Sequence, residues 1–487
     1  MTIESASRPS DQVVSRSVAL SAFPAETDVS AAAVAASWRP ERVLVVLDDD
    51  PTGTQSVSQL PVLTRWEEAD FRWAFALESR AVYVLTNTRS LGPLEAAARN
   101  REVVANALAA RGEREIAFVS RSDSTLRGHF PLEPSVIADE LEKAGSHTDG
   151  IVVVPAFPDA GRVTINGVHY VSSGSDELTP VAQTEFASDA TFGFSRSDLP
   201  GYIEEKSLGQ IPADSVIVLD LGLMRSGAEA IASQLENASE RALIVADAVV
   251  ESDLRALSLG LALAEERGKR FLYRVGPPFV RARIGQAERA PLSSSELYGG
   301  NEAPASHGLV VVGSHVAQTT SQLERLLQDG HASVVQIDVG ALLDPERRSD
   351  EIAAAISSAT SALREHEVVV HTSRVLVRTE SGQDSLAIAR SVSAAIVAIV
   401  QGIMKAGRPR YVIAKGGITS SDVAAHGLEI ARAIVLGPLL PGIISAWRPV
   451  GGPADGIPFV VFAGNVGDDD ALASVIKVLS ADEGARA

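Results

Sequence analysis

Residues 42–53 read RVLVVLDDDPTG, and the order of these residues decides the architecture. A short apolar run, rich in β-branched side chains, stops abruptly at three aspartates, followed by Pro51 and Gly53. A parallel strand buried on both faces has this near-continuous apolar character, and its carboxyl end opens into a polar loop. The same grammar recurs at Ala81–Leu85 before TNTRS, at Ile116–Val119 before SRSDSTLRG and at Ile151–Val154 before PAFPDAGR. It recurs again at Val216–Leu219 before Asp220 and at Ala242–Ala246 before Asp247. Between these runs lie Ala-, Leu- and Glu-rich stretches with helical spacing, such as Glu95–Ala110 and Glu133–Lys143. Strand, polar loop and helix in repetition predict an α/β domain with a mainly parallel sheet. Ligands of such sheets sit beyond the carboxyl ends of the strands, where these polar loops fall.

A chain of 487 residues is too long for one ordinary core. The pattern dissolves after Gln286 into RAPLSSSELYGGNEAPAS and restarts at Gly308–Val312. Further strands are expected at Val334–Val339, Val368–Val370, Tyr411–Ala414 and Phe459–Phe462, with helices over Thr320–Gln328, Asp350–Glu365 and Asp384–Met404. The expected organisation is a flexible tail over 1–40, an α/β domain over 41–285, a linker or long loop over 286–306 and a second α/β domain over 307–487.

The formal charge of −19 comes from 43 basic and 62 acidic side chains. That surface repels phosphate backbones and anionic lipid, so neither nucleic acid nor membrane is an expected partner. The absence of cysteine removes thiolate catalysis, disulfides and Cys-ligated metal from consideration. No apolar run of about 18 residues is present, and the expected location is the cytoplasm. A homodimer is compatible with this composition.

The densest polar string is Ser120–His129, SRSDSTLRGH. Two guanidiniums, Arg121 and Arg127, suit bidentate capture of a carboxylate, while Asp123 and the hydroxyls of Ser124 and Thr125 suit sugar hydroxyls. A capped helix start would use one or two of these residues, not the whole string. Asp48-Asp49-Asp50 closes the first strand. Adjacent carboxylates there position a hydroxyl, hold magnesium or act as a general base; a turn needs only one of them. Arg89, in the loop after the second strand, and Arg162, Asn166 and His169, in PAFPDAGRVTINGVHY, offer further donors. A lone histidine such as His169 is more often a structural hydrogen-bonder than a catalyst.

In the C-terminal half the informative residue is glycine. Gly313-Ser314, Lys415-Gly416-Gly417-Ile418-Thr419, Gly437–Gly442 and Gly464–Gly467 are glycine loops, mostly at strand ends. Paired glycines let backbone amides approach an anion, and a following helix start favours negative charge. Four such loops in one domain point to a nucleotide cradle. Neither the P-loop nor the GxGxxG fingerprint occurs, nor GxSxG or HExxH.

Taken in order, DDDPTGTQSV, TNTRSL, SRSDSTLRGHFPLE, PAFPDAGRVTINGVHYV, AKGGITSSDVA, GPLLPG and FAGNVG resemble the four-carbon acid sugar kinase family. The resemblance spans Arg42 to about Leu479. It implies a sugar-acid domain followed by an ATP domain, with the site in the cleft between them, and phosphorylation of the 4-hydroxyl of threonate, erythronate or 3-oxo-tetronates. By motif matching, Asp49, Asp50, Thr52 and Gly53 fall on the family's DDxTG segment, and Arg121, Asp123, Ser124, Leu126, Arg127 and Gly128 on its DSTLRG-type segment. Ser314 and Gln318 match the first ATP loop, Gly416, Gly417 and Thr419 the second, and Gly464, Asn465 and Gly467 the last. Many members carry an acidic residue where this chain has Ile418, and a lysine–serine pair where it has Phe462-Ala463. The expected substrates are thus a sugar acid and ATP with Mg²⁺, the metal ligands being unassigned. Asp123 is the expected base and Asp50 the alternative. The rival readings are a kinase for a branched acid such as 3-oxo-isoapionate and a non-catalytic sugar-acid or nucleotide sensor.

Overall fold

The computed structural model describes residues 12–172, 174, 176–299, 306–314, 316–328, 330, 332–373, 382–440 and 444–481. They form two compact units. One runs to Asp49 and resumes over Trp66–Glu288; the other comprises Asp50–Arg65 and the chain from Arg289 onward. The chain therefore changes unit inside the aspartate run, between Asp49 and Asp50. The expected 41–285 domain does not include Asp50–Arg65, because Leu60–Leu63 pairs antiparallel with Arg432–Leu440 of the second unit. Thr54 is fixed there too: its hydroxyl lies 2.8 Å from Ser445 Oγ and accepts the Trp447 indole N–H at 2.9 Å.

The first unit is built on a parallel sheet in the order Ile217–Leu219, Ala242–Ala246, Gly150–Val154, Phe271–Val275, Glu115–Arg121, Arg42–Asp48, Ala81–Leu85. Arg42–Asp48, Ala81–Leu85, Gly150–Val154 and Phe271–Val275 are buried at every position, which explains why they lack apolar–polar alternation. Phe271–Val275 was not expected as a strand; Arg274 interrupts its apolar run. Helices Pro93–Ala110, Leu132–Lys143 and Glu251–Glu266 start or end within a few residues of these strands. A small antiparallel sheet orders Val14–Ser15, Glu177–Pro180, Val168–Ser172 and Arg162–Ile165.

The expected flexible tail is in part built into this unit. Val14 pairs with Leu178, Arg225 Nη1 donates to the Pro24 carbonyl at 2.7 Å, and Val34 of the helix Ala31–Ala36 is fully buried. Trp38 stacks under the Arg283 guanidinium, 5.7 Å from the ring centre.

The second unit orders Leu60–Leu63, Arg432–Leu440, Ile444–Pro449, Phe459–Phe462, Val412–Lys415, Leu309–Val312, Glu367–Thr372, Ala332–Ile337. The last five are parallel to one another and the first three antiparallel. Val310, Val312, Ile413, Val460 and Phe462 share its core with Leu472 and Val475 of the helix Ala471–Ser480. The expected loop of residues 286–306 contains a capped helical turn, Ser294–Leu297, whose Leu297 is buried in that core. No helix among the described residues is long and apolar enough to cross a membrane.

Candidate functional site

In the first unit the polar loops converge because parallel register sets the strand ends level. Asp48 lies opposite Arg121, and the Arg121 guanidinium donates to Asp48 Oδ1; both are buried. Burial lowers Arg121 to about 9, which leaves it cationic at neutral pH. Arg121 thereby neutralises the buried Asp48. On the other side of the same strand, Arg274 lies opposite Ser120. Its Nη1 donates to Ser120 Oγ and to Glu133 Oε2, each at 2.7 Å. Glu133 Oε1 accepts from the Thr88 hydroxyl at 2.5 Å and from Asn100 at 3.3 Å.

Arg89 clasps Asp49 through both carboxylate oxygens, Nη2–Oδ1 at 2.6 Å and Nε–Oδ2 at 3.3 Å. Burial pushes Asp49 up to about 7; Arg89 and Arg274 offset part of this and Glu133 adds to it. Asp123 behaves in the opposite way. Burial disfavours its charge, but Arg89, Arg127 and the Thr125 hydroxyl outweigh that and hold the carboxyl well below the usual range. Asp123 Oδ2 accepts from Thr125 Oγ1 at 2.5 Å and Arg127 Nε at 2.6 Å. These donors hold Asp123 in its charged form.

Gly128 closes this loop at φ +124°, and a Cβ there would lie 2.8 Å from Arg274 Nη2 and 2.9 Å from Asp49 Oδ2. Arg274 and Asp49 therefore meet under Gly128. Arg162 donates to the Ala160 carbonyl at 2.6 Å; burial lowers its pKa, with Asp123 opposing and Arg127 reinforcing the shift. His169 uses both nitrogens, Nδ1 at 2.9 Å from Thr164 Oγ1 and Nε2 at 2.8 Å from the Ser124 carbonyl. Because the carbonyl only accepts, Nε2 carries the proton, and burial lowers the ring to about 4. It is a neutral brace for the loop, and the buried Ser124 is held through its main chain. Arg89, Arg127, Gly128 and Arg162 are thus gathered around Asp49 and Asp123, whereas Asp50, Thr52 and Gly53 belong to the second unit.

In that second unit Val312, Lys415 and Phe462 stand in register at three adjacent strand ends. A Cβ at Gly313 would lie 2.0 Å from Thr419 Oγ1, and one at Gly464 would lie 2.5 Å from Ser314 Oγ. These loops touch only because glycine lacks a side chain. The Gly416 amide donates to the Phe462 carbonyl at 2.8 Å. Asp50 caps the turn Pro51–Ser56, accepting from the Thr52 amide at 2.9 Å and its hydroxyl at 2.6 Å. Its other oxygen would lie 3.2 Å from a Cβ on Gly417. Asp50 and Thr52 thereby join the paired-glycine loop, and Gly53 lies in the same turn.

Lys415 is fully buried, with Nζ 3.7 Å above the centre of the Phe462 ring and 3.2 Å from the Ala463 carbonyl; burial lowers it to about 7. Thr319 donates to the Gly464 carbonyl at 2.7 Å, and Gln322 Nε2 donates to the carbonyls of Val466 at 3.0 Å and Asp468 at 2.7 Å. Gln318 binds the side chain of Asp469 at 3.1 Å, Asn465 is exposed, and Gly467 abuts Ala471. Gly437 stands apart from these loops. It occupies a bulge of Arg432–Leu440, and the Arg289 side chain fills the place of its missing Cβ. Gly442 lies outside the described residues, as does His315.

Sequence reasoning missed Arg274, Glu133, Thr319 and Gln322 as site residues. Arg274 carried a usable signal, an arginine inside an otherwise apolar run; the other three have ordinary helical surroundings.

Residues 44–283 match the family described as a sugar-binding N-terminal domain, and residues 309–472 the family described as a nucleotide-binding C-terminal domain. The chain is 27% identical to a D-erythronate kinase of Heliobacterium modesticaldum over 90% of this chain and 97% of that protein. It is 26% identical to a 3-oxo-tetronate kinase of Methylobacterium radiotolerans (83% and 90% covered) and to a D-threonate kinase of Salmonella typhimurium (73% and 78%). Its fold is similar to that of a Salmonella typhimurium protein described as a tRNA synthase, at a TM-score of 0.66 and 18% identity over 90% of this chain and 99% of that one. A Haemophilus influenzae protein matches at a TM-score of 0.58 and 17% identity over 90% and 100%.

Proposed function

Since the chain belongs to the family that joins a sugar-binding N-terminal domain to a nucleotide-binding C-terminal domain, we propose that it transfers the γ-phosphoryl group of ATP to the terminal hydroxyl of a four-carbon sugar acid. The observation that carries this reading is the charge inventory of the first unit. Arg89, Arg121, Arg127, Arg162 and Arg274 surround four carboxylates, Asp48, Asp49, Asp123 and Glu133. A cluster with more guanidiniums than carboxylates suits an anionic ligand. The names of the kinases to which the chain is similar supply the acid's class.

In this reading Arg127 and Arg162 receive the substrate carboxylate and Asp123 holds Arg127 in place through Nε. Asp49, raised toward neutrality and lying under Gly128, accepts the proton of the attacking hydroxyl. The glycine loops that begin at Gly313, Gly416 and Gly464 receive the phosphates, since glycine lets the main chain approach an anion; the Gly313 and Gly416 amides themselves are engaged by the Lys415 and Phe462 carbonyls, which leaves the contact to the residues that follow them. Lys415 takes up a proton beside that negative charge. Among the described residues no three His, Asp or Glu side chains converge as a metal cage. Magnesium held mainly by phosphates needs only one or two carboxylates, and Asp50 beside Gly417 fits that role. When bound, the ion would neutralise charge on the transferring phosphoryl group.

The test is ADP release, measured with a coupled enzyme over a panel of four-carbon and branched five-carbon sugar acids. Turnover with at least one four-carbon acid is expected. Nucleotide binding without turnover on any acid would replace the kinase by a sensor, and turnover only on branched acids would move the substrate class.

A further inference from the structure

The segment Glu185–Phe194 is a compact loop that neither the sequence motifs nor the proposed mechanism uses. Asp189 organises it. Its Oδ1 accepts the amides of Thr191 and Phe192, each at 2.9 Å, and its carbonyl accepts the Gly193 amide at 2.9 Å. Phe192 packs edge-on against His129, and Phe194 edge-on against Tyr202, whose hydroxyl donates to the Leu126 carbonyl at 2.8 Å. The loop is thus anchored to the Asp123–His129 segment. It also presents two groups to Arg127: the Phe186 ring, 5.1 Å from the guanidinium carbon, and Asp189 Oδ2, 3.9 Å from Nη1.

These two contacts differ in strength from those on the other edge of the same guanidinium. Arg127 Nε is held at 2.6 Å by Asp123, which is charge-assisted and mostly buried. The approach of Asp189 is too long for a hydrogen bond, and both partners are more than a quarter exposed. Five arginines stand over four inner carboxylates; Asp189 at the rim is the fifth negative charge. We infer that Asp189 is a stand-in for the substrate's carboxylate, a built-in competitor that occupies Arg127 loosely until the sugar acid displaces it. It thereby sets the affinity and anion selectivity of the site. This rests on the reading of the first unit as the sugar-acid site. Phe186 stays in place as the cation-stacking wall against which either carboxylate approaches.

The inference has an unusual sign: neutralising Asp189 tightens binding of the acid. Asp189→Asn keeps the Oδ1 acceptor that caps Thr191 and Phe192 and removes only the charge. With wild type established as active on a four-carbon acid, KM for that acid is expected to fall about two- to five-fold, the range of a partly exposed ion pair. KM for ATP should stay the same. The inhibition constant of tartrate, which has the carboxylates but no terminal hydroxyl, should fall by the same factor. Asp189→Ser, a second neutral side chain able to cap a loop, should move both constants in the same direction even if Asp189→Asn folds poorly. An unchanged or raised KM in the neutral variants would overturn the inference, because Asp189 would then be a loop cap or a ligand of substrate hydroxyls. Wild type inactive on every acid would instead sink the kinase reading itself, and with it this one.

Discussion

Glu133 and Arg274 form a buried ion pair, Oε2 to Nη1 at 2.7 Å, although 141 residues separate them in the chain. The pair ties the first turn of the helix Leu132–Lys143 to the end of the strand Phe271–Val275. Through Gly128 it also touches the loop that carries Asp123 and Arg127. Breaking it on one side leaves an uncompensated charge, which costs about 3–5 kcal/mol. Arg274→Met is expected to lose that much in urea unfolding of the first unit, and Arg274→Met with Glu133→Gln is expected to recover most of it. A double variant no more stable than the single one would mean that the two side chains act independently.

Asp49 and Asp123 are expected to fail in different ways when made amides. Asp49→Asn removes the proton acceptor, worth about 10²–10⁴-fold, so kcat should fall with KM nearly unchanged. Asp123→Asn releases Arg127, so KM for the acid should rise first. Steady-state kinetics on both variants decide the roles; a collapse of kcat in Asp123→Asn alone would return the base to Asp123.

Arg127→Ala removes a charge-assisted contact to the acid and should raise its KM by the equivalent of about 1.5–3 kcal/mol while leaving KM for ATP in place. Arg121→Ala should act differently. It strips the partner from the buried Asp48, so loss of stability, read as a lower thermal midpoint, should precede any change in KM.

Gly464→Ala places a methyl 2.5 Å from Ser314 Oγ, and Gly313→Ala places one 2.0 Å from Thr419 Oγ1. Either must displace the facing hydroxyl side chain, Ser314 or Thr419, from its place between the glycine loops. KM for ATP is expected to rise at least ten-fold and KM for the acid to change little, as read from kinetics with each substrate varied in turn. The same effect on both substrates would mean that the loops do not cradle the nucleotide.

Lys415 has a pH signature of known sign. Its folded-state pKa, about 7, lies below the ordinary value of 10.5 because of burial. Below pH 7 both folded and unfolded states hold the proton, and stability is flat with respect to this group. Between pH 7 and about 10.5 the unfolded chain binds more protons, so this group makes stability rise with pH. Lys415→Met should flatten that rise in thermal midpoints of the nucleotide-free protein from pH 7 to 9. An unaltered slope would show that Lys415 keeps its proton when buried.

Strands and helices were legible because each is a pattern among neighbours. Ala81–Leu85, Ala242–Ala246 and Phe459–Phe462 are found where the apolar runs placed them, since a strand covered on both faces must be apolar throughout. The strand ends told where the polar loops fall. They did not tell that Asp49 and Asp50, adjacent in sequence, serve different units. Nor did they show that GPLLPG lies partly in an antiparallel strand, where Arg432–Leu440 ends. The pairings that set the site join residues far apart: Arg89 to Asp49 across 40 positions, Arg121 to Asp48 across 73 and Arg274 to Glu133 across 141. Such contacts leave no periodic trace, because the partner of a buried charge is chosen by distance in the folded chain. The sequence alone thus determined the alternation of elements and the two-domain plan. Only the tertiary structure decided which carboxylate each arginine neutralises, and therefore that neighbours hold the charge of Asp123 while burial opposes that of Asp49.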